Sequence, residues 1–482
     1  MKLALLSDLG HKPTRIGIIK NNGRGSGAHH ICEIARRHGV DATNVDYWLE
    51  WDRALLASSL LEWFADQDDC WIALSGSIDG SSVDEFKTLV HILKLRLPTL
   101  KVMLGGFRVP VGSADWVDVS FIGRSVNIFV KWLRKEDISE FVFCKDPLTL
   151  KNSTGKILED PVCPVPQAGD FWSPHETLTV EMALGCKFNC SFCGYDFRNN
   201  KRPIITAKER LKESLVAAHS KFGITNFILA DDTTNEVDSK LELLGDVVEE
   251  LDFTPDFMGF VRLDIVGAKP HQIELMKRAR MTTVFFGIES LNPDVTKMIR
   301  KGGKPENNFK TLEMFRDEFS ECFTYGNFII GLTGDSEKSI WYNAEKIVKE
   351  NLLTSAGCNP LRLYEDLANP DVMSDIDKNP AKFGYTVLGD EVQWKELGYN
   401  SKKWKNDWTT EDEAGSISGR LDSYWGDSLT SKYTAHEIQG IKSLLPKMST
   451  GSYNGQLNLA NHVRDKVVRS YIKRKSEWLC SQ

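Results

Sequence analysis

The chain has 482 residues, 41% of them hydrophobic and 26% charged, with a formal net charge of −7, so about three domains of ordinary globular make-up are expected. No apolar run approaches the ~18 residues of a membrane span, and the start, MKLALLSDLGHK, has too short an apolar core for a signal peptide; a reducing cytoplasm and no membrane partner are the expectation. The acidic balance argues against broad nucleic-acid binding.

From residue 14 to about 135, β-rich apolar runs alternate with helical patterns. RIGII is followed by a helix from Ala28 to His38, then ATNVDY, a helix through Leu55 to Phe64, WIALSGS, the helix VDEFKTLVHILKL, KVMLGG and DVSFIG. This alternation predicts an α/β domain over 1–138, a Rossmann-like or flavodoxin-like doubly wound parallel sheet of about five strands. Such sheets bind ligands beyond the carboxyl ends of their strands, which singles out the loops Asn21–Gly27, Ser75–Gly80 and Gly105–Val109. The glycine-rich NNGRGSGA has the make-up of a phosphate cradle without the dinucleotide spacing, and a tight strand-to-helix turn explains it equally well.

The stretch 139–174 is rich in proline and turn formers and reads as a linker. From Thr177 the chain repeats a strand and helix unit, with TLTVEMAL, ITNFILA, PDFMGFVRL, MTTVFFGI, ECFTYGNFIIG and TSAGCNP as strands. Six units predict a partial (β/α) barrel over 175–362 whose active face lies at the carboxyl ends of the strands. In the helix after Asp335, Ile340, Trp341, Ala344, Ile347 and Val348 share one face, and Ser336 is placed to cap it. The remainder, 363–482, reads as an irregular, aromatic-rich region in which Trp394, Trp404, Trp408 and Trp425 cover the open side of the barrel and shape a substrate pocket. Its basic stretch VRDKVVRSYIKRKSEW, with Arg464, Lys466, Arg469, Lys473, Arg474 and Lys475, reads as a solvated amphipathic helix.

LGCKFNCSFCGY, just after the first barrel strand, places Cys186, Cys190 and Cys193 within eight residues. Three thiolates on one loop can hold three irons of a cubane cluster and leave the fourth open to another molecule. A structural zinc site wants four ligands in two pairs, and no second C-x-x-C exists; Cys163 lies upstream in the proline-broken PVCPVPQ. A disulfide with a spare thiol suits a cytoplasmic chain poorly. Cys32, Cys70, Cys144, Cys163, Cys322, Cys358 and Cys480 read as ordinary buried or surface thiols.

The cysteine loop, with Gly185 before the first cysteine and Phe192 before the last, resembles the signature of the radical S-adenosylmethionine (SAM) superfamily. The resemblance implies a [4Fe-4S] cluster on Cys186, Cys190 and Cys193, SAM on the open iron, and reductive cleavage to a deoxyadenosyl radical, with Phe192 and Tyr195 among the cofactor-binding residues. In Ala230-Asp231-Asp232 it implies the site of the SAM amino group, although an Asp pair at a strand end is also a common helix cap. Arg262 would hold the methionine carboxylate in a fork, or pair with Asp264 instead. FFGIES resembles a family motif in which Glu289 and Ser290 reach the ribose or the methionine part. Gly331 in NFIIGLTGDS would let adenine approach closely, with Thr333 and Asp335 standing where the family usually has proline and glutamate.

SGSIDGSS, VMLGGFRVP and VDVSFIGR resemble the cobalamin-binding domain that precedes the catalytic domain in one large subfamily. The usual D-x-H-x-x-G is missing, so cobalamin and a relict, empty domain both stand as readings. With cobalamin, methyl transfer to an unactivated centre is favoured; without it, radical oxidation, rearrangement or ring formation. Sulfur insertion would want a second cysteine set, and a non-catalytic zinc or cluster protein is the reading from another class. The implied partners are a small-molecule or peptide substrate and a flavodoxin-like or ferredoxin-like electron donor.

Overall fold

The computed structural model describes residues 1–7, 23–75, 80–106, 115–152, 158, 160–195, 200, 202–302, 305–366, 373–394, 399–446 and 456–482. The N-terminal domain runs β1 Lys2–Ser7, α1 Ser26–Arg37, β2 Asp41–Val45, α2 Arg53–Phe64, β3 Cys70–Ser75, α3 Gly80–Lys94, β4 Lys101–Gly106, β5 Val119–Ile122, α4 Val126–Leu133, β6 Val142–Lys145 and β7 Leu148–Lys151. Its sheet order is β2-β1-β3-β4-β5-β7-β6, parallel except for the β6–β7 hairpin. The first five strands give the doubly wound order expected of alternating strands and helices.

Two expectations shift here. The first strand is LALL within β1, which is buried throughout, whereas RIGII lies outside the described residues. The segment read as a linker contributes β6 and β7 to the sheet edge, with Leu150 fully buried, so the apolar face of LTLK outweighs its flanking turn formers.

The second unit runs β8 Leu178–Val180, β9 Ala183–Leu184, β10 Ile204–Ile205, α5 Lys208–Phe222, β11 Asn226–Leu229, α6 Asp238–Glu249, β12 Asp256–Val261, α7 Leu263–Ala268, α8 Gln272–Arg278, β13 Met281–Glu289, α9 Pro293–Met298, α10 Pro305–Glu318, β14 Phe323–Ile330, α11 Glu337–Lys349 and β15 Ser355–Pro360. Six parallel strands in the order β8-β11-β12-β13-β14-β15 form the partial barrel. Alternate side chains face opposite sides of each strand. Phe227, Leu229, Phe257, Val284 and Phe286 pack outward among the helices. Ser336 caps α11 by accepting from the Ser339 amide, as its position predicts.

The C-terminal region is far more regular than its composition suggests. It runs β16 Leu363–Asp366, α12 Asp375–Lys378, β17 Thr386–Trp394, β18 Tyr399–Lys405, α13 Glu411–Ser428, α14 Ala435–Leu444 and α15 Leu457–Leu479. Helix α13 packs against β15, with Trp425 on Phe328. Helix α14 covers the inner face of the barrel, where Met258, Phe323 and Tyr325 meet Ile438 and Ile441. Gln439 donates to the carbonyls of Phe227 and Asp256 near the starts of their strands, while His436 lies against Phe260 and Phe285 farther along.

Helix α15 leaves the barrel and packs on α2 and the core of the N-terminal domain. Its basic stretch is only partly solvated. Lys466, Arg469, Lys473 and Arg474 are exposed, but Arg464 pairs with Glu50 and Lys475 bonds Thr43 Oγ1 at 2.6 Å and the Gly169 carbonyl at 2.9 Å, both cations being buried. Beside them, buried Arg24 bonds Glu176, Asp46 and the Asp170 carbonyl and stacks on Trp172 and Tyr471. This hub ties the start of α1, the interdomain segment and α15 together.

Candidate active site

The cysteine loop leaves the barrel after β9 and lies over the carboxyl ends of β11–β13. Its pocket of about 220 Å³ is lined by Cys186, Phe188, Cys190, Phe192, Cys193 and Tyr195, and across from them by Asp232, Thr233, Phe260, Arg262, Phe285, Gly287, Glu289 and Lys301. Burial raises the Cys186 thiol and pushes Cys193 up to about 11. Among the described residues no three His, Cys, Asp or Glu side chains are gathered for a single metal ion. The thiols instead face one shared pocket, as a multi-iron group held through separate corners requires. Arg262 Nη1 lies 3.3 Å from Cys190 Sγ, and Lys301 stands over Phe192, so cations are in place for the charge of metal-bound thiolates. The donor set fits a cluster.

Several expected roles change. Asp231 is fully buried outside this pocket; it accepts from the amides of Met182 and Ala183 at 2.7 and 3.2 Å and pairs with Lys240 at 2.9 Å. It fastens the strand that carries the cysteine loop and has no oxygen facing the thiols. Asp232 is the member of the pair that lines the pocket, and burial raises its carboxyl to about 7. Arg262 does line the pocket, but its fork is closed on Asp264 at 3.0 and 2.8 Å, and its plane stacks on Phe188 at 3.8 Å.

Glu289 ends β13 at φ 64°, beside a register shift, and pairs with Lys301 at 3.1 Å. The left-handed turn sends the next residue the other way. Ser290 donates to Asp335 at 3.1 Å, away from the cysteines, and burial raises the Asp335 carboxyl to about 6. Gly331 has φ 98°, and a Cβ there would lie 2.3 Å from the Trp404 ring. The aromatic group that needs this glycine is therefore the chain's own Trp404, whose Nε1 donates to the Leu361 carbonyl. Trp408 donates to the Leu332 carbonyl; the Trp394 side chain lies outside the described residues.

Sequence reasoning missed Phe188, Thr233, Phe260, Phe285 and Lys301. Phe260 and Phe285 read as core because strand periodicity cannot tell a core-facing ring from one lining the mouth of a barrel, while Phe188 sits inside the cysteine loop with no periodicity to read. Lys301 carried only one signal, a cation following the acidic end of β13.

A second cavity, about 290 Å³, opens where the N-terminal sheet meets β8 and β11. Leu5, Ala73, Met103 and Phe121 form its floor, Gly105 and Gly106 lie at the end of β4 and Gly27 at the start of α1, and Thr179, Glu181 and Ala230 close it from the barrel. A Cβ on Gly105 would meet nothing within 4 Å and would project into free space. Gly25 has a different purpose: its amide donates to Ser7 Oγ at 2.8 Å, too close for a side chain, so the glycine-rich segment is at least in part a tight strand-to-helix turn. Of the three strand-end loops, 8–22, 76–79 and 107–114 lie outside the described residues. A broad apolar cradle with small residues at its rim fits a large, flat organic group such as a corrin.

The two cavities share a wall. Glu181 holds Arg124 at 2.6 and 3.1 Å and accepts from the Val162 amide. Tyr195 and Asp232 interact on the side of the cysteines, and Arg124 acts on both electrostatically.

Residues 180–347 match the sequence profile of the radical SAM superfamily. An uncharacterised methyltransferase of Pyrococcus horikoshii is 29% identical over 166 residues, 33% of this chain and 34% of that protein, so the match spans about a third of that relative's length. The ribosomal protein uS12 methylthiotransferase RimO of Carboxydothermus hydrogenoformans is 25% identical over 67% of this chain and 72% of its own. The radical SAM methyltransferase TsrM of Kitasatospora setae, solved with tryptophan and a SAM analogue, superposes with a TM-score of 0.68 at 11% identity, covering 97% of this chain and 99% of that one. The cobalamin-dependent radical enzyme OxsB, solved with aqua-cobalamin, gives 0.63 at 13% identity over 100% and 84%. At such identities the likeness is one of fold. With its cysteine loop at the mouth of a six-stranded partial barrel and a doubly wound domain ahead of it, the chain carries a radical SAM domain over residues 180–347 and shares the fold of TsrM and OxsB.

Proposed function

We propose that the chain is a cobalamin-assisted radical SAM methyltransferase acting on a small molecule or a peptide side chain. The observation that carries this is the shared wall: a crevice suited to a corrin and a pocket suited to a cluster lie on either side of Arg124, Glu181, Tyr195 and Asp232. Bound there, the cluster would supply the electron that cleaves SAM, and cobalamin would supply a carrier for its methyl group.

The chain's own residues set the conditions. Cys186, Cys190 and Cys193 would hold three corners of the cluster, and Arg262 and Lys301 would balance its negative charge at short range. Asp232, Glu289 and Lys301 line the space left for a zwitterionic ligand such as SAM, offering acceptors and a cation to its ammonium and carboxylate. Phe188, Phe192, Phe260 and Phe285 exclude water, which strengthens those contacts. Helix α14 fills the barrel interior, so a substrate would enter at the strand ends. The likeness to TsrM, solved with tryptophan, supports a small substrate.

Anaerobically reconstituted protein supplied with SAM, cobalamin and a reductant should form cleavage or demethylation products of SAM, and Cys190→Ala should form none. Zinc without iron or sulfide after anaerobic purification would contradict the reading.

A further inference from the structure

Three nitrogens buried at the junction of the two domains make no hydrogen bond among the described residues: His30 Nδ1 on α1, Arg124 Nε at the turn from β5 to α4, and Arg210 Nε on α5. His30 and Arg124 both line the larger cavity. His30 is 3% exposed. Buried polar groups normally have partners, and a donor left without one costs as much as a lost bond.

Among the described residues, two carboxylates near this cluster, Glu181 and Glu33, are already committed. Glu181 takes Nη1 and Nη2 of Arg124 and leaves Nε pointing elsewhere. Glu33 pairs with Arg37 and also accepts from the Val165 amide. Arg210 and Arg124 lie close enough to His30 to act on its charge; burial and these cations, with Arg37, push its pKa down to about 3. The imidazole is therefore neutral and keeps one N–H to donate. Two guanidiniums and a neutral imidazole, with Glu181 and Glu33 spent elsewhere, are short of one acceptor group that carries negative charge.

We infer that His30, Arg124 and Arg210 form an oxyanion site at the domain junction that takes a phosphate mono- or diester. Guanidinium N–H groups match phosphate oxygens in geometry and charge. Two sources share this chemistry. One is the phosphodiester in the nucleotide tail of cobalamin, an assignment that rests on the methyltransferase reading above. The other is a free phosphate or phosphorylated metabolite, which does not.

The test compares full-length wild type with Arg210→Gln, Arg210→Lys and His30→Gln, each checked for fold by circular dichroism. The probes are hydroxocobalamin, cobinamide (which lacks the phosphodiester) and inorganic phosphate. If the anion belongs to the corrinoid, Arg210→Gln and His30→Gln weaken hydroxocobalamin about tenfold and leave cobinamide unchanged, with Arg210→Lys in between. If the anion is free, phosphate raises the melting temperature of wild type but not of the Gln variants, and neither corrinoid is affected. The site is overturned if wild type ignores phosphate and binds both corrinoids equally, or if the Gln variants match wild type with every probe; a bridging water then satisfies the three nitrogens. Failure of both corrinoids with a retained phosphate response would sink the cobalamin reading and leave the site standing.

Discussion

The two cavities on either side of the Arg124–Glu181 wall are built on opposite principles. The N-terminal crevice is floored by apolar side chains and rimmed by glycine, whereas the cysteine pocket is set with paired charges, Arg262 with Asp264 and Lys301 with Glu289. An apolar cradle holds a large flat ligand through area, and that allows many sequences. A charged pocket holds small polar groups through a few directed contacts, and each matters. The contrast teaches that substitutions in the barrel site should act sharply and singly, and those around the crevice in smaller steps.

The largest effect tests the cysteine pocket itself. Cys190→Ala should remove bound iron and sulfide and abolish SAM cleavage while corrinoid uptake by the other domain persists; iron analysis and product chromatography read both. Next, Lys240→Met leaves Asp231 and Glu236 as buried carboxylates without their cation. Stability should fall by about 3–5 kcal/mol in denaturant unfolding, with cluster loading lost because Asp231 fastens the strand before the cysteine loop.

Asp335 gives a smaller, pH-dependent effect. Its carboxyl is raised to about 6 in the folded chain against about 3.9 when unfolded, so the folded state binds the proton more tightly. Its contribution is fully present below about pH 4, declines as pH rises and is gone above about pH 6. Wild type should thus lose on the order of 2–3 kcal/mol relative to Asp335→Asn between these limits, measured as unfolding free energy against pH. Smallest is Tyr471→Phe, which strips the Asp46 amide of its 2.8 Å acceptor. About 1–2 kcal/mol should be lost, with cluster content unchanged; an equal loss of iron would erase the distinction between the two regions.

The barrel was legible because its six strands are short apolar runs in strict alternation with helices, and LGCKFNCSFCGY is local in sequence. What stayed hidden depended on orientation. Asp231 and Asp232 are neighbours in sequence, yet one is consumed by Lys240 and the other faces the thiols. Gly331 was read as room for adenine, but the room is taken by Trp404 from 73 residues away. Lys475 and Arg464 look like surface charge until α15 is seen to lie on a different domain from the one it follows. Pairings across such distances leave no local periodicity to read.

On the proposed reading, the two cofactors would lie on either side of one thin wall. Electron paramagnetic resonance of anaerobic protein carrying both cob(II)alamin and the reduced cluster measures this directly. Each spin should broaden the other, and the broadening should disappear in Cys190→Ala. Sharp, independent signals, or a cobalt signal identical to that of free cob(II)alamin, would contradict it.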